Sequence, residues 1–551
     1  MKLRPVLKNK IYLYMTEFFA GMGVMAVELG ASRLLAPYFS SSQIVWTIII
    51  GTIMIAMALG NVYGGRSADK NPDPDRLYKR IIFASVWIAA IPLIGRFIII
   101  GITGILIVAI NTNFLIIAAF VSCMIIFVFP LFLLGTVTPS LAKVTMSSME
   151  DSGRTVGYLN AFNTIGSIIG TFLPTFVTIP SVGTAVTFYI FSGILLVLSV
   201  VYFLSRAKDD EKDDNDHPKD RKKDIIRISL FSLIFVVFAL LGGKASFAFW
   251  ENGLKYEGES VYNYLQVKEN DRSVILSTNV LFGVQSIKIK DDSLTGMYYD
   301  YAMAAPILNE KYPAGEHMDI LVLGMGTGTY ATQCSRYLTD VSFKGVEIDE
   351  KITSLAREYF DLDDDIEVIT YDGRAYLQAS DEKYDVIMVD AYQDITIPFQ
   401  MSGVEFFSLV KDHLNDGGVM VVNMNMRGTK EGSINDYLQD TIGHVFDTVY
   451  TVDVKGSTNR ELFAVADDRD LKKELEDADE LLADRPDLQA LMERVSDDLV
   501  RYESGGLILT DDKAPVELLG MRVIDDIIKD EIAYYREIYK KDGISGLLSE
   551  M

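Results

Sequence analysis

The chain has 551 residues, which exceeds the usual size of one domain and predicts at least two. Its formal net charge of -24 argues against nucleic acid as a partner, because surfaces that bind nucleic acid need an excess of basic side chains. Two cysteines and four scattered histidines predict neither a disulfide framework nor a metal site. Apolar runs dominate residues 11 to about 243, whereas the part after them has the composition of an acidic soluble protein.

Residues 1–243 are predicted to form a multi-span α-helical membrane domain. A helix needs about 20 apolar residues to cross the hydrocarbon core of a bilayer. Pro92, Gly95 and Arg96 interrupt the run 80–110, so two short helices there, and eight spans in all, are the alternative to seven. A charged linker, 205–224, precedes the last span. The seven predicted spans are 11–37, 43–64, 80–101, 113–139, 156–179, 183–204 and 225–243.

Basic residues give a first expectation for the topology. They cluster at the N-terminus, in the loop 66–80 and in the linker 205–224. With seven spans, the positive-inside rule puts these three segments in the cytoplasm and everything after residue 243 outside. Acids nearly balance the bases of the linker, which weakens this expectation.

Polar residues within the spans predict specific helix contacts. Glu17 and Glu28 are eleven residues apart and therefore share one face of the first helix. They indicate either a polar cavity or a salt-bridged helix contact, with Arg33 near the far end of the same helix. The sequence "GSIIG", from Gly166 to Gly170, is typical of close helix packing.

The soluble part begins with a predicted β unit. Within residues 244–310, the stretches "VYNYLQVKE", "RSVILST" and "VQSIKIKD" alternate in the manner of short antiparallel strands. Residues 461–551 are predicted to be helical and amphipathic.

Between these two parts, residues 311–460 alternate strands with helices. This pattern predicts a mostly parallel sheet with helices on both faces, which is a Rossmann-like α/β domain. The predicted strands are 319–323, 343–348, 366–370, 384–390 and 418–424.

The first of these strands ends in the glycine-rich loop "GMGTGT". Ligands of open α/β sheets bind outside the carboxyl ends of the strands. Gly324, Gly326 and Gly328 allow the backbone to approach a ligand closely and allow helix N-terminal amides to face it. We therefore predict that this loop, including Thr327, binds a nucleoside.

Acidic residues follow the next three strands. Glu347 ends the second strand, 23 residues after Gly324, where an acid accepts hydrogen bonds from ribose hydroxyls. Asp372, followed by Gly373, comes after the third strand and is placed to accept from an adenine amino group. Asp390 ends the fourth strand, in the middle of the crevice. A fingerprint for NAD needs only the loop and the first acid, so this set favours chemistry on an adenosyl sulfonium.

These motifs resemble the spermidine synthase (polyamine aminopropyltransferase) family. The resemblance covers about residues 255–520. It rests on "LVLGMGTGTY", "GVEIDEKI", "YDGRAYL", "YDVIMVDAYQDITIPFQMSGVEFF" and "LTDDKAPVE". The stretches "GMGVMAVELGASRLLAPYFSSSQIVW" and "ALGNVYGGRSADK" look like the membrane-fused branch of that family, in which a transmembrane region precedes the synthase domain.

The resemblance implies a Rossmann-like domain of the class I S-adenosylmethionine-dependent methyltransferase type, a reaction, and roles for individual residues. Decarboxylated S-adenosylmethionine would donate an aminopropyl group to an amine or polyamine, releasing methylthioadenosine, with no prosthetic group. Glu347 matches the ribose-binding acid of the family, Asp372 the adenine-side acid and Asp390 the central catalytic acid. Tyr299 matches a tyrosine at the acceptor site, and Asp300 stands where the family has a glutamine.

Two departures from the family pattern concern acids that bind cations. The glycine loop of the family usually reads GGGDGG, and Thr327 replaces its acid. The acceptor loop usually reads DSSDP, whereas this chain has "DAYQD", so Tyr392 and Asp394 are the candidate acceptor residues there. Loss of the first acid removes a partner of the donor ammonium and removes repulsion against a donor carboxylate. Intact S-adenosylmethionine is therefore a hypothesis for the donor, beside its decarboxylated form.

Other functions remain alternatives at this point. Another S-adenosylmethionine-dependent transferase or lyase has the same fold, and a transporter or sensor could carry a domain that only binds a nucleoside or polyamine. The expected location is the cell membrane as a multi-pass protein. The cytoplasmic side is favoured for the soluble domain because S-adenosylmethionine is made there. A homodimer is also considered.

Overall fold

A computed structural model shows two compact units, and each is described by itself. The first comprises residues 1–110 and 114–250, and residues 251–551 make up nearly all of the second. The division falls seven residues beyond the predicted boundary at residue 243. The structure describes 9–39, 42–109, 114–146, 152–209, 218–243, 246–248, 251, 253–280, 284–291, 293–391, 397–425 and 431–523, together with 526, 529, 533–534, 537–538 and 540–541.

The first unit is helical throughout its longer described segments. A five-residue π-helix, Pro174–Thr178, joins its sixth and seventh α-helices. The helices are α1 (Lys10–Phe39), α2 (Gln43–Lys70), α3 (Pro74–Ala109), α4 (Phe114–Gly135), α5 (Val137–Thr145), α6 (Ser152–Leu173), α7 (Ile179–Asp209) and α8 (Pro218–Gly242).

Within the described residues, six helical segments are long and apolar enough to cross a membrane. Helix α3 is continuous through Pro92, so the predicted alternative of two short helices in 80–110 is wrong. The fifth segment, Ser152–Ser205, has 54 residues, and its backbone leaves the helical region at Gly183 (φ 79°, ψ 170°). At about 1.5 Å per residue, this segment is more than twice as long as a single crossing requires.

Contacts with α1 show that the chain reverses between α6 and α7. Going along α1, Phe18 and Met22 approach Gly166 and Gly170 in turn, so α1 and α6 run in the same direction. The contacts with α7 run in the opposite order. The Tyr12 hydroxyl donates to the Leu198 carbonyl oxygen at 2.5 Å, whereas Gly30 meets the ring of Phe188. Ser152–Ser205 therefore contains two antiparallel helices, α6 and α7.

Close packing explains two of the polar and small residues in this unit. A Cβ atom on Gly166 or Gly170 would overlap a carbonyl oxygen of α1, so "GSIIG" allows the close approach that was predicted. Glu17 is fully buried and accepts hydrogen bonds from Thr138 (2.5 Å) and Asn163 (2.8 Å). This carboxyl group thus joins three helices through neutral side chains.

The second unit starts with a four-stranded antiparallel sheet in the order β1-β2-β3-β4. Its strands are β1 (Leu254–Glu259), β2 (Tyr264–Glu269), β3 (Ser273–Ser277) and β4 (Ser286–Ile289). The last three correspond to the predicted stretches, and β1 is an additional strand. Short helices α9 (Tyr298–Ala302), α10 (Ala304–Ile307) and α11 (Lys311–Ala314) lead into the larger sheet.

The larger sheet has eight strands in the order β12-β10-β11-β9-β8-β5-β6-β7. Strands β5 to β9 are parallel to their neighbours within this group, as the strand–helix alternation predicts, whereas β10, β11 and β12 are antiparallel additions. The strands are β5 (Met318–Leu323), β6 (Val341–Glu347), β7 (Glu367–Thr370), β8 (Tyr384–Val389), β9 (Leu414–Met424), β10 (Thr448–Asp453), β11 (Arg460–Val465) and β12 (Val500–Arg501).

Helices cover both faces of this sheet, and alternate strand residues pack into two separate apolar cores. In β5, Ile320 and Val322 enter one core, whereas Leu321 and Leu323 enter the other. The helices are α12 (Thr329–Tyr337), α13 (Glu350–Tyr359), α14 (Gly373–Ala379), α15 (Val404–Asp412), α16 (Ile434–Val445), α17 (Leu471–Asp477) and α18 (Pro486–Asp498). The predicted α/β fold class is confirmed.

The predicted all-helical region 461–551 needs a correction. Strand β11 begins at Arg460, so the predicted boundary at 460 falls inside the sheet, and β12 is a further strand of this region. The sequence "RELFAV" forms a strand because it pairs on both sides, with β10 and with β9. Helices α17 and α18 agree with the expectation.

Candidate functional site

The glycine loop after β5 makes a sharp turn against the end of β8. Gly324 has a φ of 85°, and a Cβ atom there would lie 2.5 Å from the carbonyl oxygen of Asp390. Glycine is therefore required by both conformation and space. The amide of Gly326 donates to Glu347 Oε2 at 2.9 Å, which fixes the loop to the end of β6. The loop, Glu347 and Asp390 are thus part of one arrangement.

Glu347 is a buried carboxylate that is held by the backbone. Its Oε1 accepts from the amide of Asp349 at 3.0 Å, and its Oε2 accepts from Gly326. Burial raises the pKa of Glu347, and the two amides oppose this shift. Each carboxylate oxygen keeps a second lone pair, so both oxygens can still accept from a pair of vicinal hydroxyls.

Asp372 follows β7 and caps helix α14. Its Oδ1 accepts from the amide of Ala375 at 2.8 Å, which satisfies one free donor at the helix N-terminus. Asp372 and Gly373 both line the same cavity as Glu347. The capping bond leaves the second carboxylate oxygen, Oδ2, able to accept from a ligand amino group.

Asp390 follows β8 and is oriented by two side chains. The hydroxyl of Tyr298 donates to its Oδ2 at 2.6 Å, and Asn423 Nδ2 donates to its Oδ1 at 2.8 Å. Desolvation raises the pKa of Asp390 to about 7, although the two hydrogen bonds lower it. A carboxylate with this pKa is well matched to accepting a proton near neutral pH.

The cavity that joins these residues lies at the carboxyl ends of β5, β6 and β8. Its volume is about 260 Å³, close to the lower end of the range for small-molecule sites, roughly 300–1,000 Å³. Its described lining includes Glu347, Asp372 and Asp390, and no Lys, Arg or His side chain lines it within the described residues. Such a wall favours a cationic ligand.

The remaining predicted residues have different positions. Tyr299 lines the cavity and donates through its hydroxyl to the carbonyl oxygen of Gln285 at 2.8 Å. Asp300 is buried, and its carboxylate accepts from the Gly296 amide (2.6 Å) and from Thr295 Oγ1 (2.9 Å), so it holds its helix to the preceding turn. Asp300 is not part of the cavity lining.

Thr327 and Gly328 also lie away from the cavity lining. The Thr327 hydroxyl is buried and lies 3.2 Å from that of Thr329, which donates to the carbonyl oxygen of Ile287. Thr327 therefore contacts the side of the loop that faces β4. The two acceptor-loop candidates, Tyr392 and Asp394, lie outside the described residues.

Several residues around the cavity were not predicted. Tyr298 and Asn423 contact Asp390 directly, although the sequence favoured the neighbouring Tyr299. The antiparallel β unit also contributes to the wall, through Asn263 and Ser286. No motif of the unit signals this role. Asn263 and Ser260 both donate to Asp349 Oδ2, which attaches the unit to the start of α13.

Removal of the Tyr298 hydroxyl is expected to alter the pH dependence of turnover. Burial raises the pKa of Tyr298, so this side chain stays a hydrogen-bond donor. Its bond to Asp390 favours the carboxylate, and Tyr298→Phe should therefore raise the pKa of Asp390 above about 7. Loss of a bond to a charged group, worth about 1.5–3 kcal/mol, corresponds to a shift of about 1–2 pH units.

The measurement is kcat/KM against pH for the wild type and Tyr298→Phe. The acidic limb, where activity rises as Asp390 ionises, should move to higher pH in the variant, with activity recovered at alkaline pH. Tyr337→Phe, on the partly buried Tyr337 of α12, is the control and should leave the profile unchanged. An unshifted profile in Tyr298→Phe would contradict the prediction.

Comparisons with known proteins agree with this geometry. The family model for the spermine/spermidine synthase domain matches residues 299–455. A protein of Bifidobacterium longum, "Probable polyamine aminopropyl transferase", is 54% identical over 332 residues, covering 58% of this chain and 73% of that protein. The chain belongs to the polyamine aminopropyltransferase family. The predicted family and the prediction of a transferase enzyme are therefore confirmed.

Two weaker matches were also found, one to a curated protein and one to a solved structure. The "Polyamine aminopropyltransferase" of Vibrio vulnificus is 28% identical over 201 residues, covering 34% of this chain and 66% of that protein. A crystal structure described as a probable spermidine synthase from Corynebacterium glutamicum has 19% identity and a TM-score of 0.36, covering 47% of this chain and 98% of that chain. In this aminopropyltransferase-family chain, the matched region 299–455 includes the glycine loop, Glu347, Asp372 and Asp390.

Proposed function

We propose that the protein transfers an aminopropyl group from decarboxylated S-adenosylmethionine to an amine, releasing methylthioadenosine. The observation that carries this proposal is the position of Asp390. This carboxylate, with its raised pKa, lies beside the glycine loop in the same cavity as Glu347 and Asp372. The relatives' names support an amine of the polyamine class as the acceptor.

The residues of this cavity provide what the reaction needs. The lone pair of the acceptor nitrogen attacks the aminopropyl carbon that is bonded to the sulfonium. The carbon–sulfur bond breaks, its electron pair neutralises the sulfur, and methylthioadenosine leaves. Asp390 accepts the proton that the acceptor nitrogen loses, while Tyr298 and Asn423 keep the carboxylate oriented. Because the sulfonium is already a good leaving group, most of the remaining rate enhancement comes from positioning.

The charge of the cavity supports the decarboxylated donor over intact S-adenosylmethionine. Intact S-adenosylmethionine carries a carboxylate, which would enter a site with three acids and no basic side chain among its described lining residues. The decarboxylated form carries two positive charges and no carboxylate. Thr327 stands where the family has an acid, and this difference suggested intact S-adenosylmethionine as the donor. However, the Thr327 hydroxyl contacts Thr329, and Thr327 is not part of the cavity lining. Its identity therefore has little bearing on the donor.

Product analysis tests the proposed reaction. Purified protein is incubated with each of the two donors and a panel of aliphatic amines, and the nucleoside products are separated by chromatography. We expect methylthioadenosine only with the decarboxylated donor and only when an amine is present. Adenosylhomocysteine from intact S-adenosylmethionine would indicate methyl transfer, and methylthioadenosine without an amine would indicate a lyase. Either result would overturn the proposal.

We further propose that the protein is a multi-pass membrane protein, with the helical unit as its membrane domain. The apolar helices α1 to α4 and α6 to α8 support this assignment, because each is long enough to cross a bilayer. Helix α8 packs against two other helices, with Phe231 against Phe83 of α3 and Phe235 near Gly193 of α7. These contacts support α8 as a seventh span.

We also keep a homodimer as a proposal, which light scattering of the detergent-solubilised protein tests.

The soluble unit is expected in the cytoplasm, because its charged donor is made there and does not cross a bilayer unaided. Seven crossings then put the basic loop 66–80 outside, against the positive-inside rule. The origin of the donor and the positive-inside rule thus give opposite locations for the soluble unit. Fusions of alkaline phosphatase and of a fluorescent protein to the C-terminus decide between them. We expect the phosphatase fusion to be inactive and the fluorescent fusion to be bright, and active phosphatase would place the soluble unit outside.

A further inference from the structure

Glu461, in β11, is a fully buried carboxyl group that the proposed mechanism does not use. Neither of its oxygens has a hydrogen-bond partner among the described residues. Desolvation, and to a smaller extent the charge of Asp390, raise the pKa of Glu461 well above its ordinary value. A buried carboxyl without a partner is destabilising, so its presence beside a catalytic site indicates a function.

The register of the sheet places Glu461 in a row with Asp390. In the parallel pair β8–β9, Val389 lies opposite Val422, so the residues that follow, Asp390 and Asn423, are level with each other. In the antiparallel pair β9–β11, Asn423 lies opposite Glu461. Since neighbouring strands are ~4.8 Å apart, the backbones at Asp390 and Glu461 are about 10 Å apart.

The strand order separates a donor side from an acceptor side. Glu347 and Asp372 follow β6 and β7, on one side of β8, whereas Glu461 lies on β11, on the other side. With the nucleoside over Glu347 and Asp372, its reactive carbon is near Asp390. The acceptor must then approach from the side of β9 and β11, which is the side of Glu461.

We propose that Glu461 binds the distal ammonium group of an aliphatic diamine whose other amine is the nucleophile beside Asp390. This inference rests on the proposed aminopropyl transfer and names a specificity-determining residue for it. Helix α9 packs over this region and carries Tyr298 and Tyr299, whose rings give an aromatic wall suited to methylenes and to a cation. Because Glu461 is fully buried, the side chains that cover it must rearrange before the diamine reaches it.

The test compares a diamine with the monoamine of the same carbon chain, using Glu461→Gln. Glutamine keeps the shape of the side chain and removes the charge that the distal ammonium requires. We expect kcat/KM for the diamine to fall by about 10–100-fold, the effect of losing one hydrogen bond to a charged group. The value for the monoamine should stay unchanged, so the preference for the diamine disappears. An unchanged preference would overturn the proposal.

Two further measurements keep this test decisive. Glu476→Gln, on an exposed acid of α17, is the matched control and should preserve the diamine preference. Calorimetry of wild-type protein with methylthioadenosine, in buffers of different ionisation enthalpy, counts the protons released on binding. The diamine should release one more proton than the monoamine, because Glu461 ionises, and equal release would count against the proposal. If wild-type protein converts neither amine, the proposed function fails, and the calorimetry still tests Glu461 separately.

Discussion

Replacing Asp390 by asparagine is expected to lower kcat by about 10²–10⁴-fold, because general-base catalysis contributes an effect of this size. The amide cannot accept the proton that the attacking amine loses. The variant should still fold, since its amide oxygen can accept from Asn423 while its NH₂ group donates to the Tyr298 hydroxyl oxygen. Steady-state release of methylthioadenosine, measured with saturating donor and amine, gives kcat for both proteins.

The control is Asp381→Asn, on an exposed acid before the amino end of β8, which should retain wild-type kcat. Binding of methylthioadenosine should also be nearly unchanged in Asp390→Asn, because the nucleoside contacts lie on the other strands. A variant that keeps more than about a tenth of the wild-type kcat would mean that Asp390 is not the base, given the usual contribution of such groups.

Replacing Glu347 by alanine is expected to weaken binding of the nucleoside by about 100-fold. The carboxylate is the acceptor that both ribose hydroxyls would use, and it also holds the glycine loop through the Gly326 amide. Hydrogen bonds to a charged group contribute about 1.5–3 kcal/mol each, and about 2.7 kcal/mol corresponds to a 100-fold change in Kd. Calorimetry with methylthioadenosine measures this change without requiring turnover.

Glu350→Ala, on the exposed acid at the start of α13, serves as the matched control and should bind like the wild type. Because Glu347 also accepts from the Asp349 amide, thermal unfolding of both variants is measured to detect a general loss of structure. Wild-type affinity in a folded Glu347→Ala protein would show that the nucleoside does not use this carboxylate.

The candidate site was accessible to prediction where its residues directly follow parallel strands. The carboxyl ends of such strands meet at one edge of a sheet, so local patterns ending in Gly324, Glu347, Asp372 and Asp390 predict residues that are neighbours in space. The structure brings all four to one cavity. Their roles in binding and catalysis stay predictions. Thr327 shows the limit of this reasoning, because its place in a motif does not tell where its side chain points.

Which tyrosine contacts Asp390 could not be predicted. In "MYYDYA" the residues Tyr298 and Tyr299 are adjacent, and a five-residue helix has too little periodicity to distinguish their directions. The structure places the Tyr298 hydroxyl on Asp390 and the Tyr299 hydroxyl on a backbone carbonyl. The prediction of helix for the whole C-terminal region was wrong for a similar reason. The segment β11 forms a strand because it pairs with β9 and β10, and a local pattern does not show this pairing.

The sequence by itself determined the division into an apolar helical part and an α/β part, the parallel strands, the glycine loop and the acids that follow the strands. These features depend on hydrophobic periodicity and on residue types within short windows. Only the tertiary structure decided the contacts of Asp390 and the position of Glu461. Tyr298 is 92 residues and Asn423 33 residues from Asp390, so these contacts depend on strand register and helix packing. No local sequence pattern encodes strand register or helix packing.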